Sequence, residues 1–269
     1  MKKIRSYNKL VNEIINQQMH FRTEIIGYVE YGEDIYPMFL FKHTSKLAKK
    51  TIVITAGHHG DESFAVHTLM KWIQRVNPEE YFDFNLYIFP ICNPYGYEHE
   101  SRDNGARQDT NNDKHFYKNS KVQELAVLFE AFPVNVDMIL DIHGDTGKDK
   151  IYMYEHKAES LETIAQKVMI ENDNVIPYLK TKTIYKCPVV NGVIIPPPWD
   201  IGIEGVMEKL GIEYTITLEL PGKFDGQKRA IGGMAIIVSI LKHYRDTLLK
   251  DIKPLEVKDE HTTQNQEQQ

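Results

Sequence analysis

The chain has 269 residues and a mass of 31.3 kDa, with 42% hydrophobic and 26% charged residues. That composition suits an ordinary globular protein and excludes a mainly disordered, collagen-like or coiled-coil chain. A net charge of −6 and a pI near 6.0 leave no global basic field to hold nucleic acid.

Two cysteines, Cys92 and Cys187, are too few for a disulfide framework, and no CxxC metal motif occurs. The opening segment is positively charged but has no apolar core after it, so it does not read as a signal peptide. No apolar run approaches the roughly 18 residues that a membrane helix needs. The expectation is a soluble, cytoplasmic protein that binds neither nucleic acid nor membrane, and its oligomeric state is not legible.

In chain order, Lys50 to Ala56 is a continuous apolar run stopped by Gly57, as expected of a strand buried on both faces. Ser63 to Gln74 shows helical periodicity. Asn85 to Pro90 and Asp137 to Ile142 read as two more buried strands, with a helix over Val122 to Phe132 between them. Helices are expected over Leu161 to Ile170, Gly205 to Leu210 and Gly232 to Leu249, and a strand over Tyr214 to Leu220. The alternation predicts an α/β fold: three layers, α/β/α, around a central mixed sheet. A single catalytic domain is expected over residues 1–253, and residues 254–269, polar and without aromatics, read as a disordered tail.

Such a sheet places ligands at the carboxyl ends of its strands, and four strands end in polar residues. The first runs into Gly57-His58-His59-Gly60-Asp61-Glu62, the second into Asn93-Pro94-Tyr95-Gly96, and the third into His143-Gly144-Asp145. The last carries Glu219 before Pro221-Gly222. His59 and Glu62, three residues apart, can present an imidazole and a carboxylate to one ion, and His143 would be the third ligand. HxxE alone is weak: a second copy at His156 to Glu159 falls in a charge-rich stretch expected to be an exposed helix. His58 and His67 read as core or supporting histidines. Asp61, Asp109 and Asp145 read as turn residues or as groups that orient the ligands.

Taken together, Asn93-Pro94-Tyr95-Gly96, Arg102-Asp103-Asn104 and Asp109-Thr110-Asn111-Asn112 resemble motifs of the zinc carboxypeptidase family, to which the succinylglutamate desuccinylase/aspartoacylase deacylases are related. The first HxxE, His143 and Glu219 complete the family's motif order, from about Lys50 to Gly222. The resemblance implies one zinc ion on His59, Glu62 and His143, with Glu219 as general base. It implies Arg102 as the group that polarises the carbonyl and holds the oxyanion, and Asn111 as a substrate-binding residue. The chemistry is coherent: zinc lowers the pKa of bound water to about 7, and a positioned carboxylate can shuttle its proton.

Two departures bear on substrate. Asn112 stands where the family carries the arginine that grips a terminal carboxylate, and an amide lacks that charged fork. Pro197 stands where peptidase members carry a tyrosine. By ungapped alignment, Glu204 falls at the family's specificity-pocket position, where it would favour a cationic substrate group; otherwise it lies at a solvated helix start. Trp199 in the proline-rich loop after Ile195 could wall the pocket or simply pack against the domain.

The expected activity is zinc-dependent hydrolysis of an amide bond in a small peptide or peptide-like molecule, such as a γ-D-glutamyl-diaminopimelate peptide. The alternative is an N-acyl amino acid deacylase. A third reading is a catalytically silent zinc or ligand-binding protein.

Overall fold

The computed structural model describes residues 2–16, 20–112, 120–158, 160–194 and 211–250. The expected proline-rich loop, the helix over Gly205 to Leu210, Glu204 and the polar tail lie outside them. In chain order the elements are α1 (Tyr7–Asn16), β1 (Arg22–Tyr31), β2 (Asp34–His43), β3 (Lys50–Ala56), α2 (Ser63–Arg75), β4 (Phe84–Phe89), α3 (Pro94–His99) and α4 (Gln123–Glu130). They continue as β5 (Met138–Asp145), β6 (Tyr152–Lys157), α5 (Ala165–Asn172), β7 (Thr183–Ile184), β8 (Cys187–Val190), β9 (Val193–Ile194), β10 (Tyr214–Pro221) and α6 (Gly226–Lys250).

The most apolar runs form the middle of the sheet. Its order is β1-β2-β4-β3-β5-β10-β6-β9-β8-β7, and β4, β3, β5 and β10 are mutually parallel. Antiparallel β2 and β6 flank them, so the sheet is mixed. From β3 the chain first lays β4 on one side and then crosses to lay β5 on the other. The β3/β5 boundary is therefore a topological switch point, where a crevice opens outside the carboxyl ends.

Strand alternation assigns opposite jobs to the two faces. Ile52, Ile54, Leu140, Ile142, Ile216 and Leu218 are completely buried beneath α2, α5 and α6 in one large cluster. Each such side chain contributes about 1.5–3 kcal/mol of burial. The other face packs Val53, Ile139 and Phe89 against α4 and turns polar toward the carboxyl ends. The result is the expected α/β/α layering. No helix among the described residues is long and apolar enough to cross a membrane.

Three expectations shift. The stretch holding the second HxxE is not helical at His156, which lies in β6 and pairs with Thr215. Its neighbour Glu155 is buried and accepts the backbone N–H groups of Ile164 and Ala165, at 2.7 and 2.9 Å. That fixes the start of α5 later than periodicity suggested. The closing helix starts earlier, because Asp225 caps it by accepting the N–H groups of Gln227 and Lys228. Within this helix, a Cβ on Gly233 would stand 2.6 Å from the Thr68 methyl and 3.1 Å from Leu220. The glycine lets α6 approach α2 and the sheet closely.

Candidate metal centre

The turn after β3 brings His59 and Glu62 together. His59 is extended, with φ −100° and ψ 123°, and Gly60–Glu62 follow as one 3-10 turn leading directly into α2. Gly60 makes this possible, since a Cβ there would overlap the Gly96 backbone at 1.8 Å. The Gly60 N–H also donates to the Ser101 carbonyl at 3.0 Å. Asn93 ties the surrounding loops together: its side chain accepts from Gly96 N at 2.8 Å and donates to the carbonyls of His58 and Arg102 at 3.2 Å. At the back, Arg5 donates to the Tyr97 and Gly60 carbonyls.

His143 arrives from β5 on its polar face. The structure thus brings the three sequence-predicted ligands into one buried group. His59 Nδ1 lies 2.7 Å from Glu62 Oε1, His143 Nδ1 lies 3.0 Å from Glu62 Oε2, and the two Nδ1 atoms are 3.1 Å apart. Glu62 Oε2 also accepts the Gly144 N–H at 2.9 Å. The far nitrogens face carboxylates: His143 Nε2 donates to Asp141 Oδ2 at 2.8 Å, and His59 Nε2 to Asp109 Oδ1 at 3.3 Å. With Nε2 protonated on both rings, the Nδ1 lone pairs and the Glu62 oxygens converge, and acceptors that close require a cation between them. Two imidazoles oriented by carboxylates plus one carboxylate ligand suit a metal ion with an open position.

The electrostatics show the same demand. Burial works against charge on His143 and His59, yet Asp141, Glu62 and Asp109 hold both imidazoles above their ordinary value. Burial likewise opposes ionisation of Glu62, Asp109 and Asp141, but the imidazoles hold all three carboxyls well below the usual range. The positive charge this cluster retains is either protons or a metal.

His58 lies outside the donor group. It is completely buried, its Nδ1 donates to the Thr110 carbonyl at 3.2 Å, and its ring stacks on His143 with centroids 5.9 Å apart. Burial lowers its pKa to about 4, so it stays neutral. His67, exposed on α2, bonds the Tyr97 hydroxyl at 2.9 Å.

The remaining predicted residues surround the cluster. Glu219 is the Cα partner of His143 across the β5–β10 pair, so both side chains project from one face. Burial pushes its carboxyl up to about 8, with Glu62 and Asp145 adding to the rise and His143 opposing it. The Arg102 guanidinium is half-exposed at the mouth; Nη1 lies 3.3 Å from His59 Nδ1 and 3.9 Å from Glu62 Oε1, and Nη2 donates to Asp109 Oδ2 at 3.1 Å. The Asn111 amide lies 3.3 Å from His143 Nε2. Asn112 is exposed, with its backbone N–H on the Asp109 carbonyl. Asp61 is no part of the donor group, and one of its oxygens is buried without a hydrogen-bond partner among the described residues.

Asp141 escaped the sequence reading. Its signal was there: Asp-x-His inside a buried strand puts both side chains on one face, and the acid then has no plausible partner except the histidine. Thr55 Oγ1, from neighbouring β3, donates to its other oxygen at 2.7 Å. Asp109, expected as a turn or orienting residue, accepts from both His59 and Arg102 and so links the donor group to the guanidinium at the mouth. Its loop is anchored through Asn104, which donates to the buried Glu124 at 2.9 Å and accepts the N–H groups of Ala106 and Gln108.

Residues 48–172 match the family profile described as the Succinylglutamate desuccinylase/Aspartoacylase catalytic domain. No curated protein matches the chain. Among solved structures, a presumed metallopeptidase from Shewanella amazonensis superposes with a TM-score of 0.73 at 22% identity, covering 88% of this chain and 91% of that one. A metallo-carboxypeptidase from Burkholderia cenocepacia gives 0.64 at 20% identity, over 89% of this chain and 69% of that one. A succinylglutamate desuccinylase/aspartoacylase from Rhodobacter sphaeroides gives 0.56 at 17% identity, over 82% and 64%. At these identities the likeness is one of fold.

Proposed function

We propose that this chain belongs to the zinc-carboxypeptidase-like family that includes the succinylglutamate desuccinylase/aspartoacylase proteins and is a zinc-dependent hydrolase of an amide bond in a small peptide or peptide-like substrate. The observation that carries the reading is the buried His59–Glu62–His143 donor group with Glu219 beside it on the same sheet face. These three side chains would hold one ion. When bound, zinc supplies a water of pKa near 7 and a Lewis acid for the carbonyl.

The chain's own residues supply the rest. Glu219 takes a proton from the attacking water and returns it to the leaving nitrogen. Its carboxyl titrates near neutrality when the cluster holds no metal, and two added positive charges would draw it toward the base form. Arg102, at the mouth, aims a positive charge where the carbonyl oxygen becomes anionic; one such donor is typically worth about 10²–10³ in rate. Asn111 holds substrate beside His143, with Asn112 next to it in the chain as a second substrate-binding residue. A γ-D-glutamyl-diaminopimelate peptide is the substrate proposed.

A second reading, N-acyl amino acid deacylation, is favoured by the family whose profile residues 48–172 match. The test is mass-spectrometric product analysis of zinc-loaded protein given L-Ala-γ-D-Glu-diaminopimelate in one reaction and mixed N-acetyl and N-succinyl amino acids in another. Release of diaminopimelate supports the peptidase. Acid release from the acyl mixture alone overturns it in favour of the deacylase, and tight peptide binding without turnover would point to a silent binding protein.

A further inference from the structure

We propose that Asp145, Tyr152 and Tyr185 form a subsite for a protonated amino group of the substrate, at the rim of the site beside Glu219. The inference rests on the hydrolase reading above and narrows its substrate class. Asp145 follows His143 by two residues on the same face of β5, one step farther out from the sheet. Tyr152 is the Cα partner of Glu219 on the other side, so His143, Glu219 and Tyr152 form one row across three strands, with Asp145 above it.

Charge distinguishes Asp145 from the deeper carboxylates. Glu62 and Asp141 face imidazoles, and Asp109 faces both an imidazole and Arg102. Among the described residues the side-chain hydrogen-bond partners of Asp145 are neutral. Its Oδ2 accepts the hydroxyls of Tyr152 at 3.0 Å and Tyr185 at 3.1 Å, and its Oδ1 accepts the Gly147 N–H at 2.8 Å. An ionised carboxylate has about four acceptor positions, which leaves room for one more donor. The Tyr185 ring already accepts an ammonium at its face, since Lys148 Nζ lies 5.8 Å from the centroid.

The backbone beneath Tyr185 is independent support. Tyr185 and Lys186 are the two-residue turn between β7 and β8, with φ of 47° and 68°. Tight hairpins of this kind favour Asn-Gly or Gly-Gly, because both central residues are left-handed. A tyrosine there opposes the turn preference and is 59% exposed, so packing does not explain it. What it does achieve is a hydroxyl delivered to Asp145 from the far edge of the sheet. Such conflicts between local preference and structure collect at functional sites. An acidic group, two phenol oxygens and aromatic faces suit an ammonium. A substrate carboxylate would meet Asp145 and Glu219 instead.

The test uses the zinc-loaded full chain with L-Ala-γ-D-Glu-diaminopimelate and its fully N-acetylated form. Binding of each to Glu219→Gln protein is measured by titration calorimetry, and turnover of each by wild-type protein is followed by mass spectrometry. The free-amine peptide should bind at least about tenfold more tightly, as a charge-assisted contact implies. Adding Asp145→Asn should bring the two affinities close together. Adding Tyr185→Phe should narrow the gap several-fold without changing the melting temperature, which separates recognition from any loosening of the Asp145 turn. Equal affinities, or a preference that both substitutions leave intact, would overturn the subsite. A preference that persists in protein cleaving neither peptide would keep the subsite and overturn the peptidase reading.

Discussion

The two faces of β5 and β10 are one residue apart in sequence and differ in almost everything else. On one, Leu140, Ile142, Ile216, Leu218 and Leu220 are completely buried against helices. On the other, Asp141, His143 and Asp145 alternate with them along β5, and Thr215, Thr217 and Glu219 along β10. The polar face gives up stability: the Thr215 hydroxyl is buried without a hydrogen-bond partner among the described residues, and such a group costs about 1–3 kcal/mol. The dry face holds the strands in register, and the register sets His143 beside Glu219. Stability and the proposed chemistry thus fall on alternate residues of the same strands and should be separable by substitution.

The largest expected effect is on the polar face. Glu219→Gln should lower kcat by about 10²–10⁴ while zinc content stays at the wild-type level; an equally active variant would remove Glu219 from the mechanism. Next is Asp141→Asn, which keeps the shape but weakens the hold on His143 Nε2. It should reduce zinc affinity by about 10–100-fold in competition with a chelator, and unchanged affinity would mean that the contact does not orient the ligand.

On the opposite face, Leu140→Ala should cost about 2–5 kcal/mol in denaturant unfolding and leave kcat and zinc stoichiometry intact. A parallel loss of zinc would show that the faces are not independent.

The smallest effect is the pH dependence of zinc stabilisation. His59 and His143 have raised values in the metal-free fold, burial being outweighed by the facing carboxylates. Their contribution is complete below the ordinary imidazole value of about 6.5 and is lost as pH rises through the raised values. Glu62, Asp109 and Asp141 are depressed, with burial again outweighed, so they contribute above about 4 and lose that as pH falls through their folded values. The metal-free protein should therefore lose stability as pH rises above the acidic range. Zinc displaces the same protons, so its increase in melting temperature should be larger at pH 8 than at pH 6. An equal increase at both would place the protons elsewhere.

The same contrast explains what was readable in the sequence. Strands buried on both faces are continuous apolar runs, which gives β3 its observed bounds and β4 and β5 to within a few residues, while the alternation of Tyr214 to Leu220 marks β10. The first 49 residues yielded no element, although they hold α1 and the β1–β2 hairpin. Those strands lie at the sheet edge, where exposed Ile25, Tyr28 and Ile35 blur the alternation. The candidate donors His59, Glu62 and His143 stand out in the sequence because polar residues there interrupt or follow apolar runs. Asp141 carries a weaker signal, an acid in mid-strand that makes sense only beside His143. Tyr152 and Tyr185 were invisible because nothing local marks a tyrosine brought in from another strand or a distant hairpin.

The central claim is that His59, Glu62 and His143 hold one metal ion. Its most direct measurement is zinc content per chain after equilibrium dialysis, for wild-type protein and for His143→Ala. The account predicts one tightly held ion in the wild type and none retained by the variant, with both still folded by circular dichroism. Equal zinc in the two proteins, or none in either, would contradict it.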